Sequence, residues 1–411
     1  MSPERLVTPA GVARQPQAAP EVMIVAGEAS GDLHGSRLLH ELRALHPDLS
    51  SFGMGGQLMV AEGLETLADS REIAVIGLTE ALRVVPRAHQ ILRALERAAR
   101  DRRPAVAVLI DSPDFNLPLA KRLHRAGTPV VYYVSPQIWA WRESRVATVA
   151  RCVDRMLVLF GFEVDFYRRH GVEVEHVGHP LVDEVASHPQ AWEVDGSAER
   201  EVRLALLPGS RRSEVEALLP CMLEGARLLG RRRNIRVRVI VAPGLDRGLL
   251  ESIVERTAAG AAAAGGRLAV EWIEEARHRV IADSHLAFCA SGTATLEVGL
   301  LGTPMVVVYR LNRWTYWLAR RLVRVPHIAL VNLVLGARVV PELVQVQTEP
   351  ANLAETAERL LGDRATLDRM REELRRLRPA LGEGGASRRA ARAVARWLVA
   401  TAGGTAEGAS S

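Results

Sequence analysis

The sequence predicts an α/β protein with two Rossmann-like domains, each built on a parallel sheet, that face each other across a cleft. Short, continuous apolar runs alternate with helical patterns along the chain. Such continuous hydrophobicity is typical of parallel strands that are covered on both faces. The 411 residues are also too many for one ordinary core, and they suit two domains of ~150–200 residues each.

The first series of strands follows a Pro- and Ala-rich leader, residues 1–20, which we expect to be disordered. Val22–Ala26 is the first predicted strand, and leucines at helical spacing come after it. These elements define an N-terminal domain at residues 21–190. Its further predicted strands are Ala105–Ile110, Val130–Val134 and Met156–Phe160.

A second series of strands begins after a linker of mixed polar, Pro and Gly residues at Ser187–Arg200. These strands define a C-terminal domain at residues 200–365. Arg- and Ala-rich helices at 366–400 are expected to pack back on the N-terminal domain or on a partner chain, and the tail at 401–411 to be disordered. The predicted strands of this domain are Val202–Leu207, Ile235–Ala242, Leu268–Trp272, Leu286–Cys289 and Met305–Val308.

Composition excludes several classes of protein. Aromatic residues make up only 4% of the chain, which argues against a stacking platform for single-stranded nucleic acid. The net charge is +5, but no nucleic-acid-binding motif accompanies it, so we expect no nucleic-acid partner. The three cysteines lie far apart and predict neither a disulfide framework nor a zinc site. No uninterrupted apolar run reaches the ~18 residues that a membrane-spanning helix needs.

The loop after the predicted strand Leu286–Cys289 is suited to a pyrophosphate. Gly292 lets the backbone approach a ligand closely, and the hydroxyls of Ser291 and Thr293 join the free amides of the following helix. Glu297 falls near the end of the first helical turn, where its carboxylate is placed to accept hydrogen bonds from ribose hydroxyls. The alternative is a plain helix cap by Ser291 or Thr293.

A second loop of this kind follows the predicted strand Val202–Leu207. Gly209 and Ser210 present backbone donors, and Arg211 is suited to clamp phosphate as charge develops on a departing diphosphate. The alternative is a capping box, with Ser210 or Ser213 starting a helix, and an exposed pair of arginines. Two such loops in one sheet predict that the C-terminal domain binds a nucleoside diphosphate.

Polar residues also follow the strands of the first domain. Asp111 comes directly after the strand Ala105–Ile110, where a carboxylate is suited to act as a general base, and a turn or helix-cap aspartate is the alternative. Glu28 and Ser30, in the loop after the first strand, are further candidates for the cleft. That loop lacks the GxGxxG spacing of a dinucleotide site.

Seven segments resemble the lipid-A-disaccharide synthase family, in that family's order, between about Val22 and Leu343. They are GEASGDLHG (27–35), EIAVIGLTEAL (72–82), IDSPDFNLPLA (110–120), YYVSPQIWAWR (132–142), VGHPL (177–181), LLPGSRRSEV (206–215) and ASGTATLE (290–297).

The resemblance implies a B-type, two-domain glycosyltransferase fold and an inverting transfer. The implied substrates are UDP-2,3-diacylglucosamine and 2,3-diacylglucosamine 1-phosphate, and the products are the β-1,6-linked lipid A disaccharide 1-phosphate and UDP. No cofactor and no metal are implied. Asp111 matches the family's essential aspartate. Asn332 matches an asparagine near the donor, although Val331 stands where the family usually has proline.

The implied setting is the cytoplasmic face of the inner membrane, with the protein peripheral to it; the resemblance also allows a homodimer. Apolar side chains beside arginines predict a membrane patch, with packing in the core as the alternative. The patch consists of Ile76, Leu78, Leu82, Val84 and Val85, and a second candidate consists of Trp314, Trp317, Leu318 and Leu322.

Two other functions stay open at the level of sequence. A UDP-N-acetylglucosamine 2-epimerase, or another UDP-sugar enzyme of the same fold, would share the nucleotide-side loops but not the IDSPDFN and SPQIWAWR segments. A catalytically silent nucleotide-sugar or lipid-binding protein would not need both Asp111 and Arg211, so the presence of both argues against it.

Overall fold

The computed structural model of the chain describes residues 19–73, 78–141, 143–186, 188, 201–261, 268–310 and 326–403. Nearly all of the expected leader, most of the linker at Ser187–Arg200 and most of the tail lie outside these residues. The described chain forms two sheets flanked by helices, which confirms the predicted fold class.

The first sheet contains the apolar strands that the sequence predicts, and three others. Its strands are β1 (Glu21–Ala26), β2 (Ser50–Gly55), β3 (Glu65–Asp69), β4 (Val106–Ile110), β5 (Val130–Tyr133), β6 (Arg155–Val158) and β7 (Val174–His176). They lie in the order β3-β2-β1-β4-β5-β6-β7. The strands from β3 to β6 pair in parallel, and β4 and β5 are buried along their whole length. This burial is what a parallel sheet with both faces covered requires.

Helices follow most of these strands, as the alternation of apolar runs and helical patterns predicts. They are α1 (Ala29–Leu45), α2 (Gln57–Ala61), α3 (Leu78–Arg102), α4 (Pro113–Arg125), α5 (Ile138–Trp141), α6 (Val146–Cys152), α7 (Gly161–Arg169) and α8 (Leu181–Val185).

The second sheet is parallel throughout its described pairs and has the order β10-β9-β8-β11-β12-β13. Its strands are β8 (Val202–Leu207), β9 (Ile235–Ile240), β10 (Val270–Ile273), β11 (Leu286–Ala290), β12 (Met305–Tyr309) and β13 (Glu342–Val344). The helices of this part are α9 (Arg212–Gly230), α10 (Arg247–Ala261), α11 (Arg277–Ala282), α12 (Thr293–Leu300), α13 (Leu330–Leu335), α14 (Pro350–Gly362), α15 (Arg364–Arg375), α16 (Leu377–Ala380) and α17 (Ala386–Gly403).

The chain divides into two compact units. Unit one contains the chain up to Pro136, the stretch Thr148–Leu157 and the chain from Ser387 onward. Unit two contains Gln137–Ala147 and Val158–Ala386. Most of α17 therefore belongs to unit one, although α15 and α16 belong to unit two. Strands β1–β7 all fall within residues 21–190, and strands β8–β13 all fall within residues 200–365.

Candidate active site

In unit one, three neighbouring strands bring their following loops to one edge of the sheet. Ala26 of β1 pairs with Ile110 of β4, and Ile110 pairs with Tyr133 of β5. The residues that follow these three strand ends therefore lie side by side at the same edge of the sheet. Among them is Asp111, the predicted base, which is partly exposed.

The backbone at this edge adopts conformations that side chains rarely allow. Asp111 has φ 48°, Ser112 has φ 45° and Val134, just after β5, has φ 64°. Left-handed backbone is uncommon outside glycine, and for a β-branched residue such as valine it is an outlier. Strain of this kind collects at functional sites and persists only where surrounding contacts hold it.

Side chains hold the left-handed backbone of Asp111 in place. Its N–H donates to the carbonyl oxygen of Tyr133 at 3.1 Å. Its own carbonyl oxygen accepts from the Asn116 side-chain amide at 2.8 Å and from the Tyr132 hydroxyl. Asn116 also donates to the carbonyl oxygen of Ile110 at 3.0 Å. The sequence analysis did not identify Asn116 and Tyr132 as residues that hold the backbone of Asp111. For Asn116 the sequence does carry a signal, because it is a polar residue in an otherwise apolar helical stretch.

Several buried polar atoms near Asp111 lack a partner within the described part of the chain: Ser112 Oγ, Asn116 Oδ1 and His34 Nδ1. Buried polar groups are nearly always hydrogen-bonded, so these atoms are open to a ligand or to water. His34 lies on α1 with its ring edge-on to Tyr133, at a centroid distance of 6.0 Å. Burial, helped by the charge of Arg37, lowers the pKa of His34 from 6.5 to about 4, so its imidazole is neutral at pH 7.

The two carboxylates at the start of α1 differ in role. Asp32 is buried, and its carboxylate accepts hydrogen bonds from the backbone amides of Gly56, Leu58 and Met59 at 2.8–3.1 Å. It therefore caps the N-terminus of α2. Glu28 is exposed, immediately before α1, and Ser30 is exposed in the first turn of that helix. Both remain accessible candidates for ligand contact.

In unit two, the loop between β8 and α9 has the predicted shape. Gly209 adopts φ 112°, and the side chains of Ser210 and Arg211 are exposed. The backbone amides of Ser210 and Arg211 donate to Glu214 Oε2 at 3.3 and 3.4 Å, and the Arg211 guanidinium contacts Glu214 Oε1 at 3.3 Å. A capping interaction is thus present, but Arg211 takes the N-cap position in place of Ser210 or Ser213, and Glu214 occupies groups that the sequence assigns to phosphate.

The loop between β11 and α12 is open. Gly292 adopts φ 139°, and a Cβ added there would meet no atom within 4 Å. The amides of Gly292 and Thr293 contact no acceptor in the described ranges. The Ser291 hydroxyl donates to the carbonyl oxygen of Ile328 at 3.0 Å, so this proton is not available to a ligand. The amides and the positive end of the α12 dipole suit an anion.

Glu297 is held by basic side chains from α11. Its Oε1 lies 3.2 Å from Arg277 Nε and 2.8 Å from His278 Nε2, although neither approach has hydrogen-bond geometry. The ring of His278 packs against that of His188 at a centroid distance of 4.6 Å. Only 15% of the Glu297 side chain is exposed. Sequence reasoning missed Arg277 and His278, because they reach Glu297 only through the pairing of distant strands.

Asn332, which the resemblance implies lies near the donor, is hydrogen-bonded to the protein in unit two. It is fully buried, and its amide donates to the carbonyl oxygen of Val340 at 2.9 Å and to Glu342 at 2.8 Å. Its Oδ1 accepts from the amides of Val339 and Val340 at 2.9 and 3.0 Å. The side chain thus makes all the hydrogen bonds that an asparagine can ordinarily make, and any influence on a ligand is indirect.

A cavity of about 980 Å³ in unit two joins the two loops. Arg211, Ser291, Tyr309 and Arg310 line it, together with one face of α9. Burial and the charge of Glu214 raise the pKa of Tyr309, against the opposing charge of Arg211. The described residues contain no group of three or more His, Cys, Asp or Glu side chains arranged to hold a metal.

The predicted membrane patch is described only in part. Ile76 lies outside the described residues, as do Trp314, Trp317, Leu318 and Leu322 of the second candidate. Leu78, Leu82 and Val84 lie on α3, and Val85 on the same helix has a relative exposure of 52%. Within the described ranges, no helix combines the length and apolar character needed to cross a membrane.

Comparisons with known proteins identify the family of the chain. A family model described as lipid-A-disaccharide synthetase matches residues 22–396. The lipid-A-disaccharide synthase of Myxococcus xanthus strain DK1622 is 46% identical over 379 residues, which cover 91% of this chain and 97% of that protein.

Solved structures share the fold at low sequence identity. The glycosyltransferase of kitacinnamycin has a TM-score of 0.61 and 18% identity, and the match covers 93% of this chain and 100% of that one. A 2-epimerase from Listeria monocytogenes, described as a UDP-N-acetylglucosamine enzyme, has a TM-score of 0.60 and 14% identity, over 92% and 96% of the two chains. The fold alone does not separate these functions. The family match and the high identity to a relative over nearly the whole chain do separate them. The chain belongs to the lipid-A-disaccharide synthase family of glycosyltransferases.

Proposed function

We propose that the protein joins UDP-2,3-diacylglucosamine to 2,3-diacylglucosamine 1-phosphate and releases UDP and the β-1,6-linked lipid A disaccharide 1-phosphate. The observation that carries the proposal is the cavity in unit two that Arg211 and Ser291 both line. These residues follow two strands of one parallel sheet, where ligands of α/β proteins bind. A guanidinium beside two glycine-containing loops and a helix N-terminus suits a nucleoside diphosphate.

Asp111 is the proposed general base. It takes the proton of the acceptor's 6-hydroxyl, whose oxygen attacks the anomeric carbon of the donor. The bond from that carbon to the diphosphate breaks as the new bond forms, and the configuration inverts. The contacts of Asn116 and Tyr132 support this role, because a base must keep one orientation toward the hydroxyl.

The leaving group is the proposed ligand of unit two. Negative charge grows on the diphosphate as UDP departs, and Arg211 and the amides of Gly292 and Thr293 stabilise that charge. Glu297 accepts hydrogen bonds from the ribose hydroxyls, and its ion pair with Arg277 and its contact with His278 keep the carboxylate in place.

Both proposed substrates carry acyl chains, so the proposed location is the cytoplasmic face of the inner membrane, with the protein peripheral to it. The patch around Val85 on α3 is the proposed contact, because an apolar side chain half exposed to water gains by entering the lipid interface. A homodimer is compatible with this arrangement.

The test is UDP release from purified protein with the donor, in the presence and absence of the acceptor, followed by identification of the product. Asp111→Asn is compared with Asp114→Asn, which neutralises an exposed aspartate in the first turn of α4. We expect the wild type and Asp114→Asn to form disaccharide only with acceptor, and Asp111→Asn to lose about 100-fold or more in turnover.

Other outcomes would change the proposal in specific ways. Disaccharide formation by Asp111→Asn at the wild-type rate would reject Asp111 as the general base but would leave the proposed reaction in place. Conversion of UDP-N-acetylglucosamine without acceptor would favour an epimerase, and tight UDP binding without turnover would favour a silent binding protein.

A further inference from the structure

A carboxylate of the protein already contacts Arg211, which the proposed function assigns to the diphosphate, together with two amides of the same loop. Glu214 Oε2 accepts from the amides of Ser210 and Arg211 at 3.3 and 3.4 Å. Glu214 Oε1 lies 3.3 Å from the Arg211 guanidinium. Two backbone amides and an arginine around one anion form the same set of donors that a phosphate group would use.

The loop is shaped closely around this carboxylate. A Cβ added to Gly209 would lie 2.5 Å from Glu214 Oε2 and 2.9 Å from Glu214 Cβ. Gly209 also adopts φ 112°, a conformation that other residues rarely reach. The glycine therefore serves two purposes, because it permits the turn and makes room for the glutamate.

Glu214 and a diphosphate cannot use these donors together. Each backbone amide has one proton and makes one full hydrogen bond at a time, and two anions at contact distance repel each other. Moreover, the hydrogen bonds to Glu214 are long, at 3.3–3.4 Å against the usual 2.9–3.0 Å, so the carboxylate is held weakly. A third of its side chain is exposed, which gives it a path out of the loop.

We infer that Glu214 is a resident anion of the diphosphate site, which substrate binding displaces and which refills the loop when UDP leaves. This inference rests on the proposed function. Its effect is to weaken the binding of the product, because only the fraction of molecules with an open loop can hold a diphosphate. Glu214 thereby favours release of UDP at the end of each transfer.

Glu216 provides a matched control on the same helix. Its carboxylate also lines the cavity, two residues further along α9, but it contacts Arg212 at 2.8 Å and not the loop amides. Glu214→Gln and Glu216→Gln each remove one negative charge from the cavity. Only the first removes the competing anion, and its glutamine keeps an oxygen that can still accept from the loop amides and cap α9.

The experiment is calorimetric titration of UDP into the full-length wild type, Glu214→Gln and Glu216→Gln, with dissociation rates from stopped-flow displacement. For Glu214→Gln we expect about three- to tenfold tighter binding of UDP and slower dissociation, because a neutral amide holds the loop donors less strongly than a carboxylate and does not repel a diphosphate. For Glu216→Gln we expect a smaller gain, of about twofold or less, because it removes a charge from the cavity without freeing the loop donors.

Unchanged or weaker UDP binding in Glu214→Gln would overturn the inference, since it would make Glu214 a helix cap alone. An equal gain in both variants would also overturn it, because that result reports only the loss of a charge. Glu214→Asp, whose shorter side chain withdraws the carboxylate while keeping the charge, gives a second reading if the glutamine variant fails to fold, and it too should bind UDP more tightly. Absence of UDP binding by the wild type would instead reject the proposed function, and the inference with it.

Discussion

The Asn116 side-chain amide donates a 2.8 Å hydrogen bond to the carbonyl oxygen of Asp111 from a position with no exposure to solvent. Because Asp111 is left-handed at φ 48°, this bond helps to hold a strained backbone next to the proposed base. The relation makes Asn116 a positioning residue, which acts on the reaction through Asp111.

For Asn116→Ala we expect turnover to fall roughly 10- to 100-fold, since a displaced catalytic group loses that much. The KM for the donor should stay within about twofold, because Asn116 is in unit one and the proposed donor site is in unit two. Steady-state kinetics of both substrates checks this split.

The control for Asn116 is Leu123→Ala on the same helix, α4. Leu123 is fully buried, and its truncation costs about 2–5 kcal/mol of stability without touching Asp111. If Leu123→Ala, assayed below its melting temperature, lowers turnover as much as Asn116→Ala, the role of Asn116 is merely structural.

Asp32 and Glu28 are two carboxylates at the start of α1, and their substitutions should have different effects on stability. For Asp32→Ala we expect a loss of about 1–3 kcal/mol in the free energy of unfolding, because buried amides at the start of α2 lose their acceptor. Glu28→Ala, at an exposed position, should stay within about 0.5 kcal/mol of the wild type. Urea denaturation measures both, and equal effects would contradict the cap.

His34 makes stability depend on pH in a definite direction. Its pKa is about 4 in the folded protein, against 6.5 for a histidine in an unfolded chain, so between these values the unfolded chain binds more protons. Folding stability therefore falls as the pH drops from 6.5 toward 4, by up to roughly 3 kcal/mol for this group.

The check is urea denaturation of the wild type and His34→Leu at several pH values between about 7.5 and 4.5, which span the ordinary histidine range. We expect the stability of the wild type to fall more steeply than that of the variant, because leucine cannot bind a proton. Parallel pH profiles would mean that the native protein accommodates the imidazolium.

Val85 tests the membrane contact. For Val85→Asp we expect binding to vesicles to fall about fivefold or more, because a half-exposed valine loses its transfer free energy and a carboxylate enters the interface. Val346→Asp, at a position of 80% exposure in unit two, is the control. Equal vesicle binding by both variants, with unchanged melting temperatures, would reject the patch on α3.

The sequence predicts those strands whose apolar character is continuous and misses those whose position depends on a neighbour. β2 reads SSFGMG and carries little hydrophobic signal, yet most of it is buried. At Gly53 an added Cβ would lie too close to the carbonyl oxygen of Ile24 in β1, so the strand needs glycine there. β3 is an edge strand with three exposed residues at its start, which also hides it from a pattern based on burial.

The same limit applies to the candidate site. Its loops are predictable, because ligand-binding residues of parallel sheets follow the strands. The residues that hold the site in place are not predictable from the sequence, because Tyr132 reaches Asp111 from a neighbouring strand and His278 reaches Glu297 from another helix. For Asn332 the resemblance implies a position near the donor, and the sequence does not reveal that tertiary packing uses every polar atom of the side chain.

The division of the chain has a consequence for its synthesis. Unit one needs the segment from Ser387, which lies about 230 residues after Leu157, and at ~5–20 residues per second a ribosome takes roughly 10–45 s to cover that distance. Throughout this interval, strands β1–β5 exist without α17 and its buried alanines, Val394 and Leu398. Unit two, whose chain is almost continuous, can finish folding first. The first unit to emerge is thus the last to be completed, and nascent unit one must remain soluble until its C-terminal helix has been synthesised.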